Sequence, residues 1–432
     1  MKSQQFRQYF AYAVGLYFAV SLLLVRTFVG IYIFGYRIGE LIVGASLLAI
    51  TLFVIFNRFG LINFQLDNKL KLIFELLLFS FVFILFYNNG NVTSAYTYKS
   101  SSYIWTLSAF FVGILVYKNF NIDKLLLYLL NPILIMAYLW QVFGTPDSLS
   151  SYFLTVSDKF EPHKGSDLAI LFVICFILNE KYLSKRENYY IYFFLFSSFY
   201  LPFIYFKSRA ALIAVVLYLL MVVISNFKSI SNQLTILKFI TVTIFSILLF
   251  LQSVFWVKES GIIKIYEARE NVVSLVKTRT QTYVEDAPSL FWISEKRLYS
   301  ADGNLNWRLD IWQDVILDLS NKDKILFGYG YNEIIPIMEW YGGYRLGLDG
   351  LNEHVHNNWF NIFARGGLLH LVLFIFLYIF LVSSYRKKFG DYWIFLLIVP
   401  ILFVSFFDSS MENAHFPFIY YFFLGRLFVI GK

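Results

Sequence analysis

The feature that most constrains this chain is a succession of apolar runs, each long enough to cross a lipid bilayer. A spanning helix needs about 20 predominantly apolar residues. We place such runs near 10–31, 38–57, 70–87, 103–118, 124–143, 166–180, 188–206, 209–226, 234–256, 366–385, 391–407 and 416–431. Charged residues make up 15% of the chain, against about 25% in a soluble globular protein. The sequence therefore predicts an all-α polytopic membrane protein with about twelve transmembrane helices.

The basic residues between these runs predict how the chain is oriented. Lys and Arg are enriched in the cytoplasmic loops of membrane proteins. With the N-terminus inside, every inner segment is basic: Lys2 and Arg7; Arg58, Lys69 and Lys71; Lys118 and Lys124; Lys181, Lys185 and Arg186; Lys228 and Lys238; Arg386, Lys387 and Lys388; Arg426 and Lys432. We therefore expect both termini in the cytoplasm, and the first apolar run to be retained as a helix. The net charge of +8 lies largely in these loops and does not suggest nucleic acid as a partner.

One outer segment is much longer than the others and lies between the ninth and tenth runs. The chain accordingly divides into transmembrane helices 1–9 (1–256), a large extracytoplasmic loop (257–365) and transmembrane helices 10–12 (366–432). Long outer loops are translocated largely regardless of their charge. The basic residues of this loop therefore need another explanation.

The long loop contains one strongly periodic stretch, so we expect it to be partly helical. Asn306 can cap the start of a helix, and Gly328-Tyr329-Gly330 breaks the chain afterwards. The expected apolar face, at three- and four-residue spacing, consists of Leu309, Trp312, Val315, Ile316 and Leu319. Asp310, Asp314 and Asp318 line the other side, where we expect a solvated face.

Two arginines on the outer side are candidates for binding an anion. Arg209 lies at the mouth of a helix, where an arginine at the membrane surface is costly without a partner. Arg308 lies near the start of the loop helix, where a cation opposes the helix dipole by about 0.3–1 kcal/mol. A guanidinium binds phosphate or carboxylate in a bidentate manner. Taken alone, Arg209 is better explained as a snorkelling side chain or a structural ion pair. Taken alone, Arg308 is better explained by an ion pair with a carboxylate such as Asp310 or Asp314 than by an anionic ligand.

The two histidines His354 and His356 are candidates for acid–base chemistry or metal binding. A neutral imidazole is the usual general base near pH 7. His-x-His is also a ligand spacing in some metal sites, but such a site needs a third ligand. The chain has no HExxH helix and no Asp-x-Asp pair, and its one cysteine, Cys175, lies in an apolar run. We therefore expect neither a metal nor a cofactor.

Three motifs follow one another along the chain. The first is FKSRAALIA at 206–214, where an apolar run begins. The second is NWRLDIWQDVI followed by ILFGYGYN, which combines an Arg-x-x-x-Trp helix with a Gly-x-Gly turn. The third is HNNWFNIFARGGLLH, which leads into the next run. In this order, with the long loop between the ninth and tenth runs, the chain resembles the O-antigen polymerase and O-antigen ligase superfamily of bacterial envelope glycosyltransferases.

The resemblance in architecture covers the whole chain, whereas the motifs cover only about residues 206–214 and 304–370. Three positions depart from the family pattern. Ala210 stands where Gly is common, Arg365 stands where an acidic residue is common, and His370 replaces the second Gly of a Gly-x-x-Gly pattern.

The resemblance implies a metal-independent, inverting glycosyltransferase whose donor is a glycan linked through diphosphate to a polyprenyl lipid. It implies that His356 is the catalytic base and that Arg209 and Arg308 bind the substrate diphosphate. Further substrate contacts are expected from His354, Asn357, Arg345, His163 and Lys164.

The activity implied first is polymerisation of lipid-linked repeat units into O-antigen or capsular polysaccharide. It would take place on the periplasmic face of the bacterial inner membrane. The expected partners are polyprenyl-diphosphate-linked oligosaccharide, membrane lipids and a chain-length regulator protein. The close alternative is an O-antigen ligase, which transfers the glycan to lipid A-core or to protein. A transporter or flippase is an alternative of another class, but it would carry ionisable residues within its spans.

Overall fold

Helices make up most of the protein. The computed structural model describes residues 2–58, 66–157, 163–259, 289–340, 345 and 353–431. In the first part of the chain the helices are α1 (Lys2–Val29), α2 (Ile38–Arg58), α3 (Asn68–Tyr87), α4 (Ala95–Ser100), α5 (Ser102–Trp105), α6 (Ser108–Asn119), α7 (Asp123–Phe143) and α8 (Asp147–Val156). A short hairpin of β1 (Tyr32–Ile33) and β2 (Tyr36–Arg37) joins α1 to α2.

The second part of the chain adds a second hairpin and the remaining long helices. The helices are α9 (Gly165–Leu183), α10 (Tyr189–Lys207), α11 (Arg209–Ser225), α12 (Phe227–Gln233), α13 (Ile236–Glu259), α14 (Gly303–Asn321), α15 (Asn358–Phe389), α16 (Phe395–Ser405) and α17 (His415–Ile430). Strands β3 (Phe291–Ser294) and β4 (Arg297–Ser300) pair antiparallel just before α14. Short 3₁₀ turns lie at Pro336–Glu339 and Ser410–Glu412.

Helix α9 forms the centre of the helical body. Every residue from Gly165 to Glu180 is buried. The helix contacts α1, α7, α10, α11, α16 and α17. A helix that is apolar on all sides has no face to present to water and is stable only in an apolar interior. The N-terminal end of this central helix is also the end that contributes to the candidate site.

Six of the described helices are long and apolar enough to cross a membrane. They are Gln8–Val29, Asn68–Tyr87, Asp123–Phe143, Tyr189–Lys207, Ile236–Val257 and Asn358–Phe389. A seventh span results if α11 and α12, which are bent by 78° relative to each other, are counted as one. The chain is thus a helical membrane protein, while twelve spans stays a prediction.

Several of the twelve predicted runs are not counted as spanning helices, because their helices are broken or short. The run at 103–118 is split between α5 and α6 by a break at Thr106 and Leu107. The last two runs form α16 and α17, which are apolar but shorter than a full span. Sequence hydropathy does not register a break in the backbone, because the residues on both sides of it remain apolar.

The described part of the long loop contains the helix that the apolar periodicity predicts, α14. The start of the helix differs from the prediction, because Asp302 rather than Asn306 is its N-cap and accepts from the backbone N–H of Leu305 at 2.9 Å. Asn306 lies inside the helix and accepts from Ser300 N at 3.0 Å. An Asp side chain at the N-cap also suits the positive end of the helix dipole.

The apolar face of α14 is also rotated relative to the prediction. Trp312, Val315 and Leu319 are buried as expected, but Ile311 is fully buried and Ile316 is 46% exposed. The buried residues pack with the 3₁₀ turn at Pro336–Glu339 and with α15. These two neighbouring elements determine which residues of α14 are buried. Apolar periodicity alone does not reveal where such neighbours lie.

The acidic side of α14 is not a solvated face, so that expectation is wrong. Arg297 binds Asp310 at 2.7 Å and Asp314 at 2.8 Å. Arg345 binds Asp310 at 2.7 Å and also contacts Asp314. Asp318 is buried too and accepts from a tyrosine hydroxyl. The two arginines lie outside the helix in sequence, so the helical pattern could not show that they cover this side.

Candidate active site

Helix α15, whose N-cap Asn357 directly follows His356, is broken near its start. The helix is interrupted at Gly367, whose φ is 64°. The segment 325–330, which follows α14, lies against the broken helix and replaces hydrogen bonds within it. The bonds, with the donor first, are Tyr329 N to Ala364 O (2.8 Å), Gly330 N to Arg365 O (3.0 Å), Leu368 N to Ile325 O (2.9 Å) and Leu369 N to Leu326 O (3.2 Å). These bonds fix the long loop to α15, and we call segment 325–330 the strap.

The glycines at this junction are required by close backbone contacts. A Cβ on Gly328 would lie 2.5 Å from the carbonyl oxygen of Arg365, and Gly328 has a φ of +69°. A Cβ on Gly367 would lie 2.3 Å from the backbone of Leu326. Any other residue would be strained at these positive φ values. The Gly-x-Gly turn seen in the sequence is therefore a docking element.

Arg365 and His370, two departures from the family pattern, also stabilise this junction. Arg365 is buried, and its guanidinium donates to Tyr96 Oη at 3.0 Å and to the carbonyl oxygen of Glu333. His370 Nδ1 lies 2.9 Å from Tyr331 Oη and 3.0 Å from Tyr103 Oη. Both side chains hold the segment after the strap, so their positions are explained by packing of the loop.

His356 is held in an unusual backbone conformation between fixed neighbours. Its φ is 53°, in the left-handed region that non-glycine residues seldom adopt. On one side, Val355 is fully buried and its carbonyl accepts from Trp312 Nε1 at 2.8 Å. On the other side, Asn357 caps α15 by accepting from Trp359 N at 2.9 Å and from the next backbone N–H. Such strain persists only where the surrounding contacts determine it, and it is concentrated at functional sites.

The ring of His356 lies among aromatic and cationic groups. Its centroid is 5.0 Å from that of Trp307, on α14. Burial, reinforced by the positive charges of Arg308, His354 and Lys164, lowers the pKa of His356 to about 3. The imidazole is therefore neutral at physiological pH, which is the state that can accept a proton.

Arg308 is partly buried beside this imidazole. Burial lowers the pKa of its guanidinium, and the nearby carboxylates of Asp408 and Asp302 act in the opposite direction. An arginine remains charged under these conditions. Among the described residues its buried Nε has no hydrogen-bond partner. The expected partners Asp310 and Asp314 bind other arginines instead, so Arg308 retains donors that an anion can use.

Arg209, the first residue of α11, contacts the N-cap of the same helix. Its Nη1 donates to Asp302 Oδ2 at 3.0 Å, and its side chain is 78% exposed. Ser208, immediately before it, caps α11 by accepting from Ala211 N at 3.3 Å. Because Asp302 is also the N-cap of α14, its carboxylate connects the N-terminus of α11 to the helix that carries Arg308.

Lys164 and His163, which precede α9, have different surroundings. Lys164 is close enough to His356 for its charge to lower the histidine pKa. His163 is buried, and its Nε2–H donates to the carbonyl of Leu22 at 3.0 Å. That carbonyl lies beside a break in α1 at Val25, where regular helical hydrogen bonding is interrupted. The structure thus brings Lys164, but not the ring of His163, into the charged group around His356.

The remaining sequence candidates have contacts within the protein. His354 pairs through Nδ1 with the carboxylate of Glu412. Asn357 uses its side-chain oxygen to cap α15. Arg345 is fully buried in the ion cluster on α14. All three contacts are made within the protein. Contacts of His354, Asn357 and Arg345 with a substrate therefore stay predictions.

Sequence reasoning did not single out three carboxylates near the site. Asp302 binds Arg209, Asp408 accepts from Ser166 Oγ and faces Arg308, and Glu412 binds His354. The last two lie in the short segment before α17, which carried no motif. The available signal was that the predicted topology places this segment on the same side of the membrane as the long loop.

Among the described residues, no group of three or more His, Cys, Asp and Glu side chains is arranged to hold a metal ion. The chemistry that can be derived from the described residues is that of a neutral imidazole surrounded by guanidinium and ammonium groups.

A family model described as "O-antigen ligase" matches residues 192–375. The matched region runs from α10 into α15 and contains Arg209, Arg308 and His356. Over this region the chain is similar to that family, which supports the resemblance to the O-antigen polymerase and ligase superfamily. Members of this family are glycosyltransferase-like enzymes that act on lipid-linked oligosaccharides. No curated protein matches the chain. Lys164, Asp408 and Glu412 lie outside the matched region, and only the structure shows that they interact with His356, Arg308 and His354 respectively.

Proposed function

We propose that this protein polymerises polyprenyl-diphosphate-linked oligosaccharide repeat units on the outer face of the inner membrane, as the match to the O-antigen ligase family model supports. The observation that carries the proposal is the neutral imidazole of His356 beside Arg308, whose buried Nε has no partner among the described residues. A hydroxyl nucleophile needs a base, and a diphosphate leaving group needs cations. Both requirements are met within one group of side chains.

The proposed reaction is a single displacement at the anomeric carbon of the donor. An acceptor hydroxyl oxygen forms a bond to that carbon as the bond to the diphosphate oxygen breaks. The hydroxyl proton moves to the imidazole of His356, and polyprenyl diphosphate leaves with the bonding electron pair. One displacement inverts the configuration at the anomeric carbon. Arg308 and Arg209 stabilise the negative charge on the leaving group, because a guanidinium matches phosphate oxygens in charge and geometry.

The low pKa of His356 also suggests an order of events. An effective general base has a pKa near the working pH, and a value of about 3 makes the free site a weak base. A bound diphosphate places negative charge beside the same cations that lower this pKa. Binding the donor therefore offsets the part of the pKa shift that the cations cause, while the larger part due to burial remains, and it makes His356 a stronger base.

The second candidate is an O-antigen ligase, which the description of the matching family model favours. The ligase uses the same donor and the same displacement, but its acceptor is a lipid A-core sugar rather than another lipid-linked repeat. The polymerase is preferred because the chain's Phe-, Tyr- and Ile-rich composition and its motif departures are typical of the more divergent polymerase branch.

Analysis of the glycans of cells that lack this chain tests the proposal. Surface polysaccharide is separated on a gel beside the lipid-linked material from the same cells. A polymerase predicts a single repeat unit on lipid A-core without a ladder. Long polymer remaining on polyprenyl diphosphate, with bare lipid A-core, would identify a ligase instead. Normal glycans in both fractions would contradict both and favour a transporter.

A further inference from the structure

A cavity of about 370 Å³ lies among helices α7, α9 and α10. Among the described residues that line it, none is Arg209, Arg308 or His356. Pockets that bind small molecules occupy about 300–1,000 Å³ and often lie between the helices of a bundle. One of the lining side chains, Tyr192, is 71% exposed, so the cavity is open toward the outside of the bundle.

Aromatic side chains of α10 form one wall of this cavity. Tyr189, Tyr192, Phe193 and Phe196 recur at three- and four-residue spacing, which places them on one face of the helix. Phe193 and Phe196 pack against Phe176 of α9, with ring centroids 5.3 and 5.8 Å from that of Phe176. The wall is therefore apolar and suits a hydrocarbon chain.

Two asparagines also line the cavity, but their amides are satisfied within the protein. Asn179 Nδ2 donates to Asn131 Oδ1 at 3.0 Å. In return, Asn131 Nδ2 donates to Asn179 Oδ1 at 3.1 Å and to the carbonyl of Leu127 at 2.8 Å. A buried polar group is costly only when its hydrogen bonds are not made. An apolar chain can therefore occupy the cavity without leaving either amide unpaired.

The mouth of the cavity is positively charged. Arg186 and Glu187, in the turn between α9 and α10, line it, and Lys185 precedes them; all three are exposed. The carboxylate of Glu187 lies 3.9 Å from Nζ of Lys238, which compensates its charge. Among the described residues, neither Lys185 nor Arg186 has an ion-pair partner. The mouth can therefore bind an anion.

This mouth lies at the depth of a lipid headgroup. Helices α7 and α10 are each long and apolar enough to cross a membrane. The turn between α9 and α10 is one of the basic segments that predict the cytoplasmic side. Phe196 lies about 10 Å along α10 from its start at Tyr189, at a rise of about 1.5 Å per residue. The cavity thus extends from the membrane surface to the depth of the acyl chains.

We propose that this cavity binds one anionic phospholipid of the cytoplasmic leaflet. Its phosphate group contacts Arg186 and Lys185, and an acyl chain lies against the aromatic face of α10. Basic pockets between transmembrane helices on this side of a membrane bind anionic headgroups. A zwitterionic lipid gains less, because the two basic side chains repel its own cation. Arg209 follows the opposite end of α10, so the inference does not depend on the proposed reaction.

Native mass spectrometry of the purified full-length protein, delipidated in detergent, tests the site. The protein is titrated with phosphatidylglycerol and, separately, with phosphatidylcholine. We expect the first phosphatidylglycerol to bind at least about fivefold more tightly, because each basic residue near the lipid contributes about that factor. Arg186→Gln should weaken phosphatidylglycerol binding by about fivefold. It should leave phosphatidylcholine binding unchanged.

Two further variants separate the cavity from the basic surface around it. Lys124→Gln is the matched control, because Lys124 is exposed at the start of α7 and does not line the cavity. It lowers the net charge equally and should leave both affinities unchanged. Leu183→Trp fills the cavity without changing the charge, since Leu183 is a lining residue. It should weaken phosphatidylglycerol binding at least as much as Arg186→Gln.

Three results would overturn the proposal. Equal affinities for the two lipids, or equal weakening by Lys124→Gln, would show only a general attraction to the basic surface. Phosphatidylglycerol binding that survives Leu183→Trp would show that the lipid does not enter the cavity. Tighter binding of polyprenyl phosphate than of phosphatidylglycerol, lost in the Arg186 and Leu183 variants, would assign the cavity to the polyprenyl lipid instead.

Discussion

At the scale of single residues, the chemistry depends on groups that lie far apart in the sequence. His356 is predicted from the motif, but its neutral state results from burial and from Arg308, His354 and Lys164. Lys164 lies at the start of α9, almost two hundred residues earlier in the chain. A motif identifies which side chains are chemically able to react. The environment that sets their protonation appears only when distant segments meet.

Replacing Arg308 by Gln should raise the pKa of His356. Arg308 is positive and disfavours an imidazolium, so removing its charge makes protonation easier, by about one unit. Titration of the isotope-labelled histidine ring by NMR measures this, with His356→Asn used to assign the signal. The value in the unchanged protein is expected near 3.

Lys296→Gln provides the matched control for that titration. Lys296 is exposed on the hairpin between β3 and β4, so its loss changes the net charge equally without altering the site. The His356 signal should titrate as before in this variant. A pKa unaffected by Arg308→Gln would show that Arg308 does not act on His356.

At the scale of elements, the strap and the broken helix form a single unit. Segment 325–330 supplies backbone groups that pair with α15 around Gly367. This arrangement holds α14, with Arg308 and Trp307, against the start of α15, where His356 and Asn357 lie. The sequence shows the glycines of both segments, but glycine alone does not say which backbone it approaches. The pairing of the two motifs therefore could not be predicted.

Gly328→Ala should destabilise the protein and reduce its activity. The added Cβ would lie 2.5 Å from the carbonyl oxygen of Arg365 at a φ of +69°. The left-handed conformation alone costs about 1–2 kcal/mol for a residue with a Cβ, and the clash displaces the strap as well. Thermal unfolding in detergent should show a lower midpoint.

The control for the strap is Gly44→Ala in α2. A Cβ there meets no atom within 4 Å, and alanine stabilises a helix interior by about 0.5–1 kcal/mol relative to glycine. Its unfolding midpoint should be unchanged or higher. Equal midpoints for the Gly328 variant and the unchanged protein would contradict the docking role of the strap.

At the scale of the whole molecule, the sequence predicts the class of fold better than its details. Apolar runs identify a helical membrane protein because burying an unpaired backbone in lipid is prohibitively costly. The central position of α9 follows from its lack of a polar face, which its sequence shows. The ion cluster on α14 was not predictable, because Arg297 and Arg345 cover its acidic side through the tertiary fold alone.

Cysteine labelling tests the orientation that the basic loops predict. Cys175 is the single cysteine of the chain and is buried, so the unchanged protein should remain unlabelled. A cysteine introduced by Lys296→Cys should react with a membrane-impermeant maleimide from outside the cell membrane. Lys387→Cys, in the last turn of α15, should react only once the membrane is permeabilised. The reverse pattern would contradict the inferred orientation of the site.

The most direct measurement of the central claim is chain growth by the purified protein in nanodiscs. The protein is given only polyprenyl-diphosphate-linked repeat units, and its products are resolved by size and by mass. We predict a ladder of longer glycans on lipid with release of polyprenyl diphosphate. His356→Ala and Arg308→Gln should abolish it although the protein folds, and Lys296→Gln should not. No ladder from the unchanged protein, or an equal ladder from His356→Ala, would contradict the account.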